Sequence, residues 1–168
     1  LVQEAKDLGY TEPDPRDDLS GMDIVRKTVI LAREIGLDIE VEDVPVRSLV
    51  PDELADPAKV SIDEFMKRLE SADEEIAAVY ADAESRGNVI KYAGVIESDG
   101  RCAVELREYP KDHPFARITG SDNIVAFTTE RYHDQPLVVQ GPGAGPEVTA
   151  GGIFADLLRL AAYLGAKL

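Results

Sequence analysis

The residues best suited to chemistry stand in two places. The first is a proline-stiffened run, Glu12-Pro13-Asp14-Pro15-Arg16-Asp17-Asp18, followed by Asp23 and Lys27. Five carboxylates and one arginine fall between Glu12 and Asp23. Such a loop can hold a magnesium or calcium ion through oxygen ligands, or it can grip an organic ammonium. There is no Asp-x-Asp-x-Asp-Gly loop and neither histidine is near, so metal is the weaker reading. Asp23 and Lys27 sit at i, i+4, which places both on one face of a helix. The pair reads either as a surface ion pair worth about 0.3–0.5 kcal/mol, or as a binding carboxylate beside a lysine that donates to a carbonyl oxygen.

The second place is Gly141-Pro142-Gly143-Ala144-Gly145-Pro146, between an apolar run and a helical one. A strand, a Gly-rich loop and a helix offer backbone N–H groups to a phosphate. A dinucleotide fingerprint needs G-x-G-x-x-G within a βαβ unit of about 30 residues. Here Pro146 takes the place of the last glycine and 22 residues follow it, with no second strand. The loop is either one wall of a cofactor site or a tight turn with no ligand.

The elements that must carry these groups read as α+β: helices first, then a mostly antiparallel or mixed sheet covered by helices, then one terminal helix. Residues 1–8 end a helix, with Gly9 as its stop. The prolines keep 10–18 a non-helical loop. A helix runs from about Ser20 to Ile35 on Ile24, Val25, Ile30 and Leu31, with capping-box spacing from Ser20 to Asp23. Alternation within 37–50 predicts a strand over Val44–Val50. Apolar residues at steps of three and four over 62–86 predict two helices broken near Ser71. The stripe through 62–83 is expected to be core or dimer surface. Asp99-Gly100 predicts a hairpin between Val89–Glu97 and Arg101–Tyr109. Strands at Ile124–Glu130 and Leu137–Gln140 follow, then a helix over 147–164.

Composition bounds the partners. The length of 168 residues suits one domain, and 44% hydrophobic residues are enough for a core. A net charge of −15 argues against nucleic acid, which needs a basic surface. No apolar run approaches a membrane span of about 18 residues, and no secretory leader is evident. The lone Cys102 excludes a disulfide framework and is expected to be a small buried hydrophobe. His113 is expected in a structural or exposed place, and His133 at the surface. Residues 1–88 hold 23 acidic and 10 basic side chains, against 10 and 8 in 89–168. The counts describe a soluble, acidic domain of intracellular type.

The stretch from Gly9-Tyr10-Thr11-Glu12 to Gly21-Met22-Asp23, continuing to Arg26-Lys27, resembles the signature of homoserine dehydrogenase. Gln140–Gly145 with Val148-Thr149-Ala150-Gly151-Gly152 is similar to that family's closing motif. Asp112–Ala116 and Asp122-Asn123-Ile124 also fit. The resemblance spans the chain and is nearest to bifunctional aspartokinase–homoserine dehydrogenases.

It implies that 1–168 is the substrate-binding and dimerisation domain, without the N-terminal nucleotide-binding half and the monovalent-metal site that half carries. It implies NADP- or NAD-dependent interconversion of aspartate 4-semialdehyde and homoserine in threonine, methionine and isoleucine biosynthesis. It places a catalytic lysine at Lys27 and substrate-binding carboxylates at Glu12, Asp18 and Asp23. It places nicotinamide-cofactor contacts at Gly9, Gly143 and Gly145, and no metal ligand in this chain. Homoserine carries an ammonium that these carboxylates suit, and Lys27 is suited to protonate the oxygen that gains charge on hydride transfer. The C-terminal helix is expected to pack on the Rossmann domain and the chain to form a homodimer. The chain alone is expected to be inactive. The expected compartment is the cytoplasm, or the plastid in a plant. The competing class is a non-catalytic dimerisation or small-ligand module.

Overall fold

A computed structural model describes residues 1–120, 122–143 and 145–166. The fold class is α+β. The described chain divides into two compact units, Leu1–Ala116 and a second beginning at Arg117.

In the first unit, α1 (Val2–Asp7) leads through Gly9, at φ +74°, to α2 (Pro15–Leu19) and α3 (Met22–Glu34). The expectation that two prolines keep 10–18 free of helix is corrected. Pro15 occupies the first helical position, where a missing N–H removes no intrahelical bond. Asp14 caps this short helix by accepting from Arg16 N at 3.1 Å. The capping box expected at Ser20 is also replaced. Gly21 stands at the N-cap of α3 with φ +77° and has no side chain to cap with. Ser20 Oγ instead accepts the Met22 N–H at 3.3 Å.

Helix α3 buries Val25, Thr28, Val29 and Ala32, and Ile30 faces outward. Its buried stripe packs with Val44, Cys102 and Val104 in one core cluster. Cys102 is a buried free thiol, as expected, and burial pushes its pKa up. Val44–Val50 forms no strand. A single parallel bridge joins Val46 to Val104, with Arg47 N donating to Val104 O at 2.8 Å and Val104 N to Pro45 O at 2.9 Å. Pro45 has no N–H to extend that ladder, and Leu49 N turns away to the Leu19 carbonyl.

Helices α4 (Ile62–Arg68) and α5 (Asp73–Ser85) are separated by a 3-10 turn over Leu69–Ala72, at the predicted break. Only Phe65 and Ala83 of their stripe are buried, and Ile76 and Tyr80 are exposed. Phe65 forms a second cluster with Val50, Leu54 and Val60. The hairpin is as predicted to within one residue: β1 (Asn88–Ile96) pairs antiparallel with β2 (Cys102–Pro110), and Gly100 takes φ +85° in the turn. His113 packs in an aromatic group, 4.6 Å from Tyr109 and 5.0 Å from Phe115 between ring centres.

In the second unit, β3 (Asp122–Phe127) pairs antiparallel with β4 (Leu137–Pro142), and α6 (Pro146–Tyr163) follows. His133 lies in the intervening turn, solvent-exposed beside Asp134. The apolar residues Ile153, Phe154, Leu157 and Leu160 of α6 are exposed.

Strand β1 approaches α3 at a glycine. A Cβ on Gly94 would collide with Thr28 Oγ1 and lie 3.0 Å from Ile24 Cγ2. Thr28 Oγ1 is itself held by its bond to the Ile24 carbonyl at 2.8 Å, so it cannot swing away without losing a partner. Gly94→Ala is expected to lower stability by about 1–3 kcal/mol through overpacking. An unchanged denaturant midpoint in the variant would contradict this packing.

Candidate functional site

The residues expected to bind substrate and to transfer the proton fall on two consecutive pieces of chain in the first unit. Glu12 lies in the loop before α2 and Asp18 within it, whereas Asp23 and Lys27 lie on the first two turns of α3. Asp18 Oδ2 accepts the Glu12 backbone N–H at 2.9 Å, which closes the loop over six residues. Lys27 Nζ stands 2.7 Å from Asp23 Oδ2, and both side chains are more than half exposed. The structure therefore makes two pairs, Glu12 with Asp18 and Asp23 with Lys27. Ser20 and Gly21 join them. With Glu12, Asp18 and Asp23 against Lys27, this stretch carries an excess of negative charge, which suits a cationic group.

Residues not singled out from the sequence set this arrangement. Tyr92 on β1 touches the start of α3: a Cβ on Gly21 would collide with the Tyr92 hydroxyl. That hydroxyl donates to the Arg47 carbonyl at 2.9 Å, and burial raises its pKa. Tyr92 and Gly94 are two apart on β1 and so share a face, and between them they hold the first two turns of α3. Arg16 is buried, and its guanidinium forks onto Asp14, with Nε 2.9 and 3.0 Å from the two carboxylate oxygens and Nη2 2.6 Å from Oδ2. Its position as the one base among five acids was the visible signal.

The glycines behave differently from one another. Gly9 at φ +74° and Gly145 at φ +124° both face open space, so another molecule can approach their backbones. Gly143 does not: a Cβ there would collide with the Asn123 side chain, so its lack of a side chain serves packing within the second unit. Helix α6 begins after Gly145 with no side-chain cap, leaving its first N–H groups for an outside acceptor. Ala144 lies outside the described residues. Among the described residues, no three His, Cys, Asp or Glu side chains converge as a metal would require. No helix among them is long and apolar enough to cross a membrane.

The sequence model of the family described as homoserine dehydrogenase matches residues 1–158. The chain belongs to the homoserine dehydrogenase family. It is 60% identical over 167 residues to a Zea mays chloroplastic bifunctional aspartokinase/homoserine dehydrogenase 2, covering 99% of this chain and 18% of that one. It is 48% identical to a Paracoccidioides brasiliensis homoserine dehydrogenase, covering 95% of this chain and 43% of the relative. Among solved structures, a Candida auris protein of unknown function superposes with a TM-score of 0.89 at 44% identity, covering 96% of this chain and 45% of that one. Staphylococcus aureus homoserine dehydrogenase at pH 7.0 gives 0.69 at 25% identity, covering 99% and 37%. The chain thus spans about a fifth of the bifunctional relatives and under half of the others.

Arg16 holds the Asp14 carboxyl below the usual carboxylate range, chiefly through its side-chain hydrogen bonds. A depressed acid stabilises the fold above its ordinary value near 3.8, and that contribution is lost as pH falls through the lower folded-state value. Asp14→Asn is expected to lose on the order of 1–3 kcal/mol at pH 7, because the buried guanidinium loses its charged partner. Its deficit against the parent chain should shrink below about pH 4. Urea unfolding at pH 7 and pH 3 checks this, and a pH-independent deficit would count against the ion pair.

Proposed function

We propose that this chain supplies the substrate-binding and proton-transfer residues for interconverting aspartate 4-semialdehyde and homoserine with a nicotinamide cofactor. The observation that carries the reading is the Asp23–Lys27 pair beside the Glu12–Asp18 loop, in a chain of this family. Glu12 and Asp23, with Asp18 close by, bind the substrate ammonium. Lys27 stands on the same helix face as Asp23, one residue for binding and the other for chemistry.

In the reductive direction, aspartate 4-semialdehyde, NAD(P)H and a proton give homoserine and NAD(P)+. The dihydronicotinamide, when bound, supplies the hydride to the aldehyde carbon. As the carbonyl oxygen gains the electron pair of its π bond, Lys27 Nζ hydrogen-bonds to it and delivers the proton, and the amine is recharged from solvent. In the oxidative direction Lys27 accepts the hydroxyl proton. The open backbones of Gly9 in the first unit and of Gly145 in the second are each suited to close approach by a nicotinamide cofactor, and the uncapped start of α6 favours negative charge. Gly143 acts there by shaping the loop around Asn123.

The remaining cofactor contacts belong to a nucleotide-binding domain that works with this chain, and the exposed apolar residues of α6 pack on it. The 18% coverage of the maize relative leaves room for that domain and for an aspartokinase in such proteins. A homodimer covers free strand edges of the hairpins. The pathway is the synthesis of threonine, methionine and isoleucine. The compartment is the plastid if the source is a plant, as the chloroplastic relatives are, and the cytoplasm otherwise.

Joined to a nucleotide-binding domain of the same family, the chain should support homoserine-dependent NADP reduction. Lys27→Ala should lower kcat by about 100-fold or more, the usual weight of a general acid–base group. Retention of full activity in Lys27→Ala would remove the lysine from the chemistry.

A further inference from the structure

We propose that Arg16 is a positioning residue. It fastens the carboxylate loop to the second core cluster, so that Glu12 and Asp18 stand in register with Asp23 and Lys27. This rests on the homoserine dehydrogenase reading given above.

Arg16 is 6% exposed, whereas Asp17 and Asp18 beside it face solvent. Four of its five N–H donors are occupied from within. Nε and Nη2 hold the Asp14 carboxylate, Nη1 donates to the Val60 carbonyl at 2.8 Å and to the Leu54 carbonyl at 3.4 Å, and the guanidinium lies 5.2 Å from the Phe65 ring centre. With four of its five N–H donors spent in this way and the side chain buried, the fork is not placed to take a substrate carboxylate. Arg16 is therefore placed to act through other residues.

Those other residues are its neighbours. Helix α2 has five residues, too few to hold its shape unaided. Pro15 is buried and Leu19 packs on the cluster of Val50, Leu54, Val60 and Phe65, while Arg16 adds the polar ties, to the Leu54 and Val60 carbonyls and over the Phe65 ring. Asp18 rides on this helix and fixes the Glu12 N–H. The Arg16 carbonyl accepts the Ser20 N–H at 2.8 Å, and Ser20 leads straight to Gly21 at the head of α3. Arg16 thus supplies the directional tie that sets the place of Glu12 and Asp18, where Pro15 and Leu19 supply apolar packing. Lysine keeps the charge but replaces the fork with a single ammonium that cannot satisfy all four acceptors in the same geometry.

Two measurements test this. In the chain joined to a nucleotide-binding domain, Arg16→Lys should raise the KM for homoserine about tenfold or more, with kcat lowered less than about threefold and the KM for NADP unchanged. A fall in kcat at unchanged homoserine KM, as lost folded protein would give, overturns the proposal. Amide hydrogen exchange in the 168-residue chain needs no activity. Exchange at Glu12 and Ser20 should quicken about tenfold in Arg16→Lys, while Val25 and Val29 in α3 keep their protection. Unchanged exchange at Glu12, or equal loss of protection at Val25 and Val29, overturns it. If the joined parent protein fails to oxidise homoserine, the functional reading falls, and the exchange result still decides what Arg16 does to the loop.

Discussion

Helix α3 lies closer to strand β1 than any side chain at Gly94 would allow, and the position of the candidate lysine follows from that approach. Thr28 fills the space above Gly94, and the Tyr92 hydroxyl fills the space beside Gly21. Both contacts fall on the first two turns of α3, which carry Asp23 and Lys27. The outward face of those turns is thereby fixed by what happens on the inward face. Cores are packed as densely as organic crystals, so a helix seated in this way has little freedom to slide or rotate. The buried residues Val25, Val29 and Ala32 then continue the same seam against Val104 and Cys102. The Arg16 fork does for the preceding loop what β1 does for the helix. Two clusters, one under α3 and one around Phe65, meet the chain on either side of Ser20 and Gly21.

The charge of the chain divides along the same lines. Much of the acid in residues 1–116 is engaged at the surface, as in Arg33 with Glu40, Arg86 with Asp82 and Glu108, and Arg107 with Glu97 and Glu105. Exposed pairs of this kind contribute little to stability. The carboxylates of the loop differ in how they are used. Asp14 is committed to Arg16, and Asp18 spends one oxygen on the Glu12 N–H. Asp23 touches Lys27 at the surface, where a polar substrate can still compete for both groups. An acidic loop that looked uniform along the sequence is thus split into anchoring and available carboxylates.

The sequence carried the broad architecture because the signals were local. Apolar spacing placed α3, α4 and α5, Gly9 marked a stop, and Asp99-Gly100 marked the hairpin turn to within a residue. What escaped depended on contacts far apart in the chain. Pro15 broke no helix, since it fell at the one position where a helix tolerates it. Val44–Val50 alternated like a strand, yet Pro45 and the pull of the Leu19 carbonyl left it a single bridge. Gly143 stood out beside Gly141 and Gly145 as part of a glycine-rich loop, and the packing of Asn123, 20 residues away, against its bare backbone was not visible. Arg16 was visible only as an odd base among acids. Its acceptors, the Val60 and Leu54 carbonyls, lie 44 and 38 residues on, and no local pattern announces them. The roles proposed for Glu12, Asp18, Asp23 and Lys27 came from the family signature; spacing alone favoured a surface ion pair.

On the function proposed above, the groups on the Glu12–Asp18 loop and on the first two turns of α3 receive one small amino-acid substrate. The most direct measurement is a crystal structure of the chain joined to its nucleotide-binding domain with homoserine bound. The substrate ammonium is expected on Glu12 and Asp23 and its hydroxyl oxygen about 2.6–3.2 Å from Lys27 Nζ. Homoserine bound with its hydroxyl away from Lys27, or with its ammonium on other residues, would contradict it.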